Sequence, residues 1–476
     1  MTAKHASPSA FVLFPAVAMS LGWGLRGYIG GGPFGAMIPG AFVALSLCML
    51  LGYGKQATAI AALFGAVGVG YCGEMTYGQT LGFVMHTDTL YWGLLGTTLK
   101  GAVWGFLGGA VLGVGLTWHR YKQRDLIIAF ALTVVAFYVG WKHINDPKLI
   151  YFSNRIEKPR DESWAGFLFA ATAFLAYLRI RTKDKTVSLP LRFALLGALG
   201  GGIGFGLGPL WFVVGPHVPL INPKWIGWWK MMEFSFGFSF GAFLGLAAYR
   251  MRDWLKFNDT EDAARDRGYP ALIALIAALA VVTWGIPALL GQGFPMTNGA
   301  TSHLAHFIHD IAGLLPNYIV FGGLCAVIAM RSTTAAWHIA ITLTYAHTVL
   351  DLVEDLPKAE GAQFSTTPLA IVLMLSVPLV AVLVHSFKNR PRTVRNEYLL
   401  ILWFCYAVAT LRTLHHLSEV ATAHGAGSSV FITANASTFI THFVFTLFAV
   451  VTTAFILRIA GPQRPEDKEI EIHANA

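Results

Sequence analysis

Charge is what this sequence has least of. Asp, Glu, Lys and Arg make up 12% of its 476 residues, against 55% apolar residues and a mean hydropathy of +0.57. A water-soluble domain carries about 25% charged residues, so the composition argues against a soluble enzyme or binding module of this length. Polar sequence is short as well. The longest stretches, 143–163 and 250–269, are too brief to fold around cores of their own. Cysteine is scarce too, and Cys48, Cys72, Cys325 and Cys405 all fall in apolar runs without a CxxC pair. That pattern fits small core residues and excludes a disulfide frame or a thiolate metal site. The opening MTAKHASPSA lacks a signal-peptide cleavage pattern, so the first apolar run is expected to stay as an anchor.

What the chain does have is repeated apolar runs of the length a bilayer core of about 30 Å demands of a helix. The sequence reads as an all-α polytopic membrane protein of about fourteen spans: 8–26, 34–53, 56–73, 94–117, 125–142, 164–180, 191–213, 229–249, 270–290, 304–330, 334–353, 368–387, 398–418 and 431–457. Placing the even-numbered loops and both tails on one side collects 23 of the 34 Lys and Arg residues there. The positive-inside rule then sets both termini in the cytoplasm, with a bacterial inner (plasma) membrane as the expected location. The formal net charge of +9 expresses this topology. The lipid bilayer is therefore the expected partner, and nucleic acid is not.

Offsetting the chain against itself by 132 residues aligns three pieces without a gap. GAFVAL (40–45) meets TAFLAY (172–177), LFGAVGVG (63–70) meets LLGALGGG (195–202), and GFLGGAVLG (105–113) meets GFSFGAFLG (237–245). The implied unit is four spans, 1–4 and then 5–8. Four is even, so the copies share an orientation and form a parallel repeat. The domain reading is a first repeat over 1–120, a second over 121–253, and a six-helix C-terminal bundle over 254–476. Trp23-Gly24 with Gly30 and Gly32 returns as Trp284-Gly285 with Gly291 and Gly293, the trace of a possible third copy.

Gly101, Gly105, Gly109 and Gly113 lie on one helix face, as do Gly237, Gly241 and Gly245, a small-residue zipper that lets helices approach closely. The repeat puts Glu233 where Gly101 stands, so the acid is expected to turn into the bundle and not toward lipid. Ionisable groups inside spans mark solute paths and proton relays. An interfacial place, or a structural pair with Lys100, is the plainer expectation for the same residue.

Ten of the sixteen histidines lie between 303 and 442. In HLAHFIHD, His303, His306 and Asp310 share a helical face. HTVLDLVED does the same for His347, Asp351 and Glu354. RTLHHLSE sets Arg412, His415 or His416, and Glu419 on a similar stripe. Two histidines and a carboxylate form the donor set of a divalent metal site, so a divalent metal at His303, His306 and Asp310 is one expectation. A proton relay through Glu233, His303, His306, Asp310 and His347 is another, since imidazole titrates near neutrality. GWGLRGYIGGGPFGAMIPG (22–40) reads as an irregular linker whose exposed amides sit beside Arg26 and could hold an anionic group. It has no following GKS or GKT, so it is not a nucleotide loop. Trp225, Trp228 and Trp229 read as members of an interfacial aromatic belt.

Two functional classes follow. The first is a secondary transporter of a small polar, possibly anionic, solute. It would be proton-coupled, with Arg26, Glu74, Glu233, Asp351 and Arg412 meeting the solute. The second is a membrane-embedded transferase or hydrolase in the outer leaflet, acting on a lipid-linked or glycan substrate. There His347 and Asp351 would serve as base and orienting partner, with His415 beside them. The parallel repeat favours transport. The gathering of polar clusters on one side favours the enzyme.

Overall fold

The computed structural model describes residues 6–154, 159–181, 188–218, 222–255, 270, 273, 318–356, 367–388, 390–424 and 429–459. Among them there are helices and turns but no strand. The first half runs α1 (Pro8–Ile29), α2 (Gly32–Leu51), α3 (Lys55–Tyr71), α4 (Gly78–Val84), α5 (Leu90–Gly115), α6 (Gln123–Gly140), α7 (Trp164–Arg181), α8 (Leu189–Leu207), α9 (Trp211–Val214) and α10 (Trp228–Met251). The rest comprises α11 (Tyr318–Ala329), α12 (Thr333–Trp337), α13 (Thr344–Asp355), α14 (Thr367–Phe387), α15 (Thr393–His424) and α16 (Ser429–Ile459). Ten of the described helices are long and apolar enough to cross a membrane, the property of a multi-pass membrane protein. Most of the expected span 270–290 and most of 304–330 lie outside the described residues. The expected span 334–353 is not one regular α-helix, because a π-helical turn, His338–Leu343, separates α12 from α13.

Helix boundaries follow local chemistry. The Ser7 side chain accepts from the Ala10 N–H at the start of α1, with Pro8 in the first turn where its missing N–H costs nothing. The stretch 22–40 is not the irregular linker its glycines suggested. It is helical through Ile29 and again from Gly32, leaving only Gly30 and Gly31 between α1 and α2. Gly32 has φ of +59°, a left-handed conformation that suits glycine and lets the chain reverse in so few residues.

Helix α2 is buried on every side from Gly35 to Leu50, so it forms the centre of the bundle and shows no amphipathic face. Around it, glycines set the spacing. Helices α5 and α8 make the most extensive contact among the described elements, and α1 with α10 the next. A Cβ on Gly101 would run into the Gly201 carbonyl, one on Gly105 into Gly197, one on Gly109 into the Phe193 carbonyl, and one on Gly113 into Pro190. On α10, Gly237, Gly241 and Gly245 face the α1 backbone at Met19, Pro15 and Phe11. Both expected glycine stripes are therefore packing faces where backbone meets backbone. Lipid offers no hydrophobic drive for helix association, so close van der Waals contact of this kind is what holds the helices together. Trp23, Trp104 and Phe236 fill the space between the two zippers, with Trp23 4.4 Å from Phe236 and 4.9 Å from Trp104, centroid to centroid.

Gly105→Leu and Gly197→Leu are each expected to lower stability by about 1–3 kcal/mol or more, the cost of overpacking a tight interface. Gly82→Ala is the control, since nothing lies within 4 Å of its added carbon. Thermal unfolding in detergent measures all three, and equal midpoints would remove the close-packing account.

Candidate functional site

At one end of the bundle the α1–α2 turn meets the start of α10 and the ends of α13 and α15. Between them lies a polar cavity of about 510 Å³ lined by Arg26, Tyr28, Gly30–Gly32, Tyr77, Trp229, Glu233, Asp351, Glu354 and Arg412, among others. Its size falls in the roughly 300–1,000 Å³ range of small-molecule sites.

Glu233 occupies its wall with its side chain 1% exposed. One turn of α10 supplies its partners. Lys230 Nζ lies 2.6 Å from Oε2, and Trp229 Nε1 donates to Oε1 at 2.9 Å. The space for the carboxylate comes from α1, because a Cβ on Gly27 would collide with it. Glu233 thus faces protein, as the repeat suggested, but its partner is Lys230 and not Lys100. Trp229, read from the sequence as a belt residue, is a donor to the acid.

Arg26 sits one turn before the α1 break and is 5% exposed. Its guanidinium carbon lies 5.4–5.7 Å from the ring centroids of Trp23, Tyr77 and Trp104, within the reach of cation–π attraction. Nη1 donates to the Tyr77 hydroxyl, while Nε is buried without a hydrogen-bond partner among the described residues. Arg412, on α15, donates to the Tyr28 carbonyl and lies over the Tyr28 ring at 5.5 Å, and Lys230 approaches the same ring at 5.7 Å.

The acidic wall is α13. His347 Nε2 lies 3.5 Å from Asp351 Oδ1, one turn apart, and the imidazole stacks on Phe34 with centroids 4.6 Å apart. Asp351 Oδ2 accepts from the Gly31 N–H at 2.7 Å. The amide expected to hold a foreign anion is therefore engaged by the chain's own carboxylate. Glu354, a turn further on, is exposed at the cavity edge.

No protein family, curated protein or solved structure matches this chain. The site must be judged on its geometry.

The other sequence candidates lie elsewhere. Glu74 is outside the cavity lining, and its Oε1 accepts from the Tyr318 N–H at the start of α11. His415 is half-buried on α15 with its carbonyl accepting from Ser418, and His416 is exposed. His303, His306 and Asp310 lie outside the described residues. Among the described residues no three His, Cys, Asp or Glu side chains gather as a metal site. Sequence reasoning missed Tyr28 and Tyr77 as parts of the cavity, and Lys230 as the partner of Glu233. The i, i+3 spacing of Lys230 and Glu233 was the one available signal.

It also missed two buried acids. Glu162 pairs with Lys100 at 2.8 Å, their side chains 0% and 1% exposed, and accepts from the Phe152 N–H and the Ser153 hydroxyl. Lys100 donates further to the Thr76 carbonyl and Thr80 Oγ1. This network ties the segment before α7 onto α4 and α5. The other acid, Glu397 on α15, is fully buried, and neither carboxylate oxygen has a hydrogen-bond partner among the described residues.

Breaking the Lys100–Glu162 pair leaves a buried charge unmatched. Lys100→Met or Glu162→Met is expected to cost about 3–5 kcal/mol. Lys100→Met combined with Glu162→Met should cost less than the sum of the single changes. A double-mutant cycle by thermal unfolding measures this, and additive losses would remove the pair from the account.

Proposed function

We propose that the chain is a secondary transporter of a small polar solute bearing an anionic group, coupled to protons, and that the cavity beside Glu233 is its solute site. The observation that carries this reading is the ion pair that Lys230 makes with Glu233, a buried acid of the cavity wall. Two charges so placed have lost most of their hydration, so each needs the other. A proton taken by Glu233 would release Lys230, and an anionic solute group would find Lys230 and Arg26 close at hand. Glu397, which has no hydrogen-bond partner among the described residues, supports the proton side of the reading, because an ionised carboxylate in such surroundings costs far more than a neutral one.

The parallel repeat belongs to this proposal. Two helix pairs at equivalent places pack in both units, α1 on α2 as α6 on α7, and α3 on α5 as α8 on α10, whereas the close packing of α2 on α3 has no counterpart between α7 and α8. Rocking of one unit against the other would alternate access to the site. With both termini in the cytoplasm of a bacterial inner membrane, the cavity opens on the outer side. The domain divisions at 120 and 253 belong to this reading as well.

The His347–Asp351 contact beside the cavity favours the enzyme as a second reading. An imidazole oriented by a carboxylate is a general base in form, and a lipid-linked substrate would reach it from the outer leaflet. His415 and a divalent metal at His303, His306 and Asp310 would belong to that chemistry. Stoichiometric metal in the purified protein, with turnover lost in His347→Ala, would favour the enzyme.

Proteoliposomes holding a pH-sensitive dye test transport directly. Challenged with small carboxylates, phosphate esters and amino acids, they are expected to show proton flux with at least one class. Glu233→Gln should abolish that flux while solute exchange continues. Flux unchanged in Glu233→Gln removes the coupling role, and no flux with any class sinks the transport reading.

A further inference from the structure

We infer that the bilayer-facing side of α8 binds an anionic phospholipid, its phosphate held by Arg192 and Arg120 beside Trp254 and an acyl chain laid along the helix. Glu233 lies near the start of α10 and Trp254 just past its end, so this site is apart from the polar cavity and independent of how that cavity is read.

Three elements meet at the headgroup end. Arg120 lies between α5 and α6, Arg192 in the first turn of α8, and Trp254 just after α10, and all three are exposed. Arg120 Nη2 donates to the Trp254 carbonyl, and the Arg192 guanidinium carbon lies 5.8 Å from the Trp254 ring centroid. Two guanidinium groups are thus gathered around one residue, and neither is in an ion pair among the described residues. Of the nearby acids, Asp125 is held by Arg181 at 3.1 Å, and Asp253 is engaged without pairing to either arginine. Like charges held together repel, and an anion between them reverses the sign of that interaction. Each guanidinium offers five N–H donors in a planar fork that suits phosphate. Arg120 spends one on the carbonyl, and the Arg192 side chain spends none among the described residues.

The surface beside the arginines makes the anion a lipid. Arg192 heads one exposed face of α8, where Leu195, Leu199 and Ile203 follow at i+3, i+7 and i+11. The helix belongs to a segment long and apolar enough to cross a membrane. From Arg192 to Ile203 it rises about 16 Å, close to half of a hydrocarbon core of about 30 Å. With Arg192 and Trp254 at headgroup level, where indoles favour the interface, Ile203 lies near the bilayer midplane. One leaflet's chain covers that depth. At Ile203 the face opens into a largely apolar groove of about 400 Å³, lined by Gly204, Leu207, Trp211 and Ser239 among others, which gives the chain end room. A zwitterionic headgroup fits less well, because its ammonium would meet the same two guanidinium groups.

The test uses the full chain purified in detergent and stripped of lipid. Phosphatidylglycerol, phosphatidylcholine with the same chains, and inorganic phosphate are titrated in turn, with bound molecules counted by native mass spectrometry and unfolding temperature followed in parallel. Phosphatidylglycerol is expected to bind about fivefold or more tightly than phosphatidylcholine, and phosphate alone to give no shift at the same concentration. Arg192→Ala and Arg120→Ala should each weaken phosphatidylglycerol binding about fivefold, the effect of one basic residue at an anionic surface. Arg390→Ala, at an exposed position between α14 and α15, should leave it unchanged. Ile203→Trp, which fills the chain's path, should weaken both lipids alike. If Arg120→Ala fails to fold, Arg192→Gln carries the test, since no hydrogen bond of that side chain is lost among the described residues. Equal affinity for the two lipids overturns the anionic headgroup. Phosphate binding as tightly as phosphatidylglycerol overturns the lipid. An equal loss in Arg390→Ala overturns the local site and leaves only general attraction to basic residues.

Discussion

A carboxylate can stand inside this bundle only because a glycine on the neighbouring helix leaves room for it. Gly27 supplies the space, and Lys230 and Trp229 supply the hydrogen bonds, so Glu233 is paired within its own helix. That matters physically. An acid that had to find its partner across a helix interface would leave a bare charge whenever the interface loosened, at a cost of several kcal/mol. An i, i+3 pair lies within one helix and does not depend on that interface.

The same economy of side chains builds the rest of the first half. Where α5 meets α8 and α10 meets α1, glycine after glycine brings backbone onto backbone, and the aromatic trio of Trp23, Trp104 and Phe236 closes the gap between the two seams. Arg26 rests on two of those same rings and on Tyr77. The packing core and the cationic wall of the cavity are thus one structure. A change that loosens the trio also displaces the guanidinium.

Much of this was legible in the chain, for identifiable reasons. Apolar runs of membrane length mark helices whatever their neighbours, and a charge inside such a run stands out. Arg26, Glu233, Asp351 and Arg412 were found that way, and all four line the cavity. Lys230 escaped because it sits where a span begins, among basic residues that orient the chain in the membrane. Tyr28 and Tyr77 escaped because an aromatic in an apolar run carries no signal of its own. Glu74 looked like the other lone acids, and the structure places it outside the cavity lining, where it accepts from the backbone N–H of Tyr318, far along the chain. The stretch 22–40 misled because its glycines were taken as breaks in the helix. Gly27 and Gly35 are instead places of close approach within helices, to Glu233 and to the Gly30 carbonyl.

The two walls of the cavity are held with unequal firmness. On the cationic side, α1 is fastened to α10 along the whole glycine stripe, and its Arg26 is caged by rings. On the acidic side, α13 follows a π-helical turn, where the regular hydrogen-bond ladder is interrupted. Across the cavity Asp351 accepts from the Gly31 N–H at the two-residue break, and His347 stacks on Phe34 of α2. These are side-chain contacts, whereas the cationic wall rests on backbone packed against backbone.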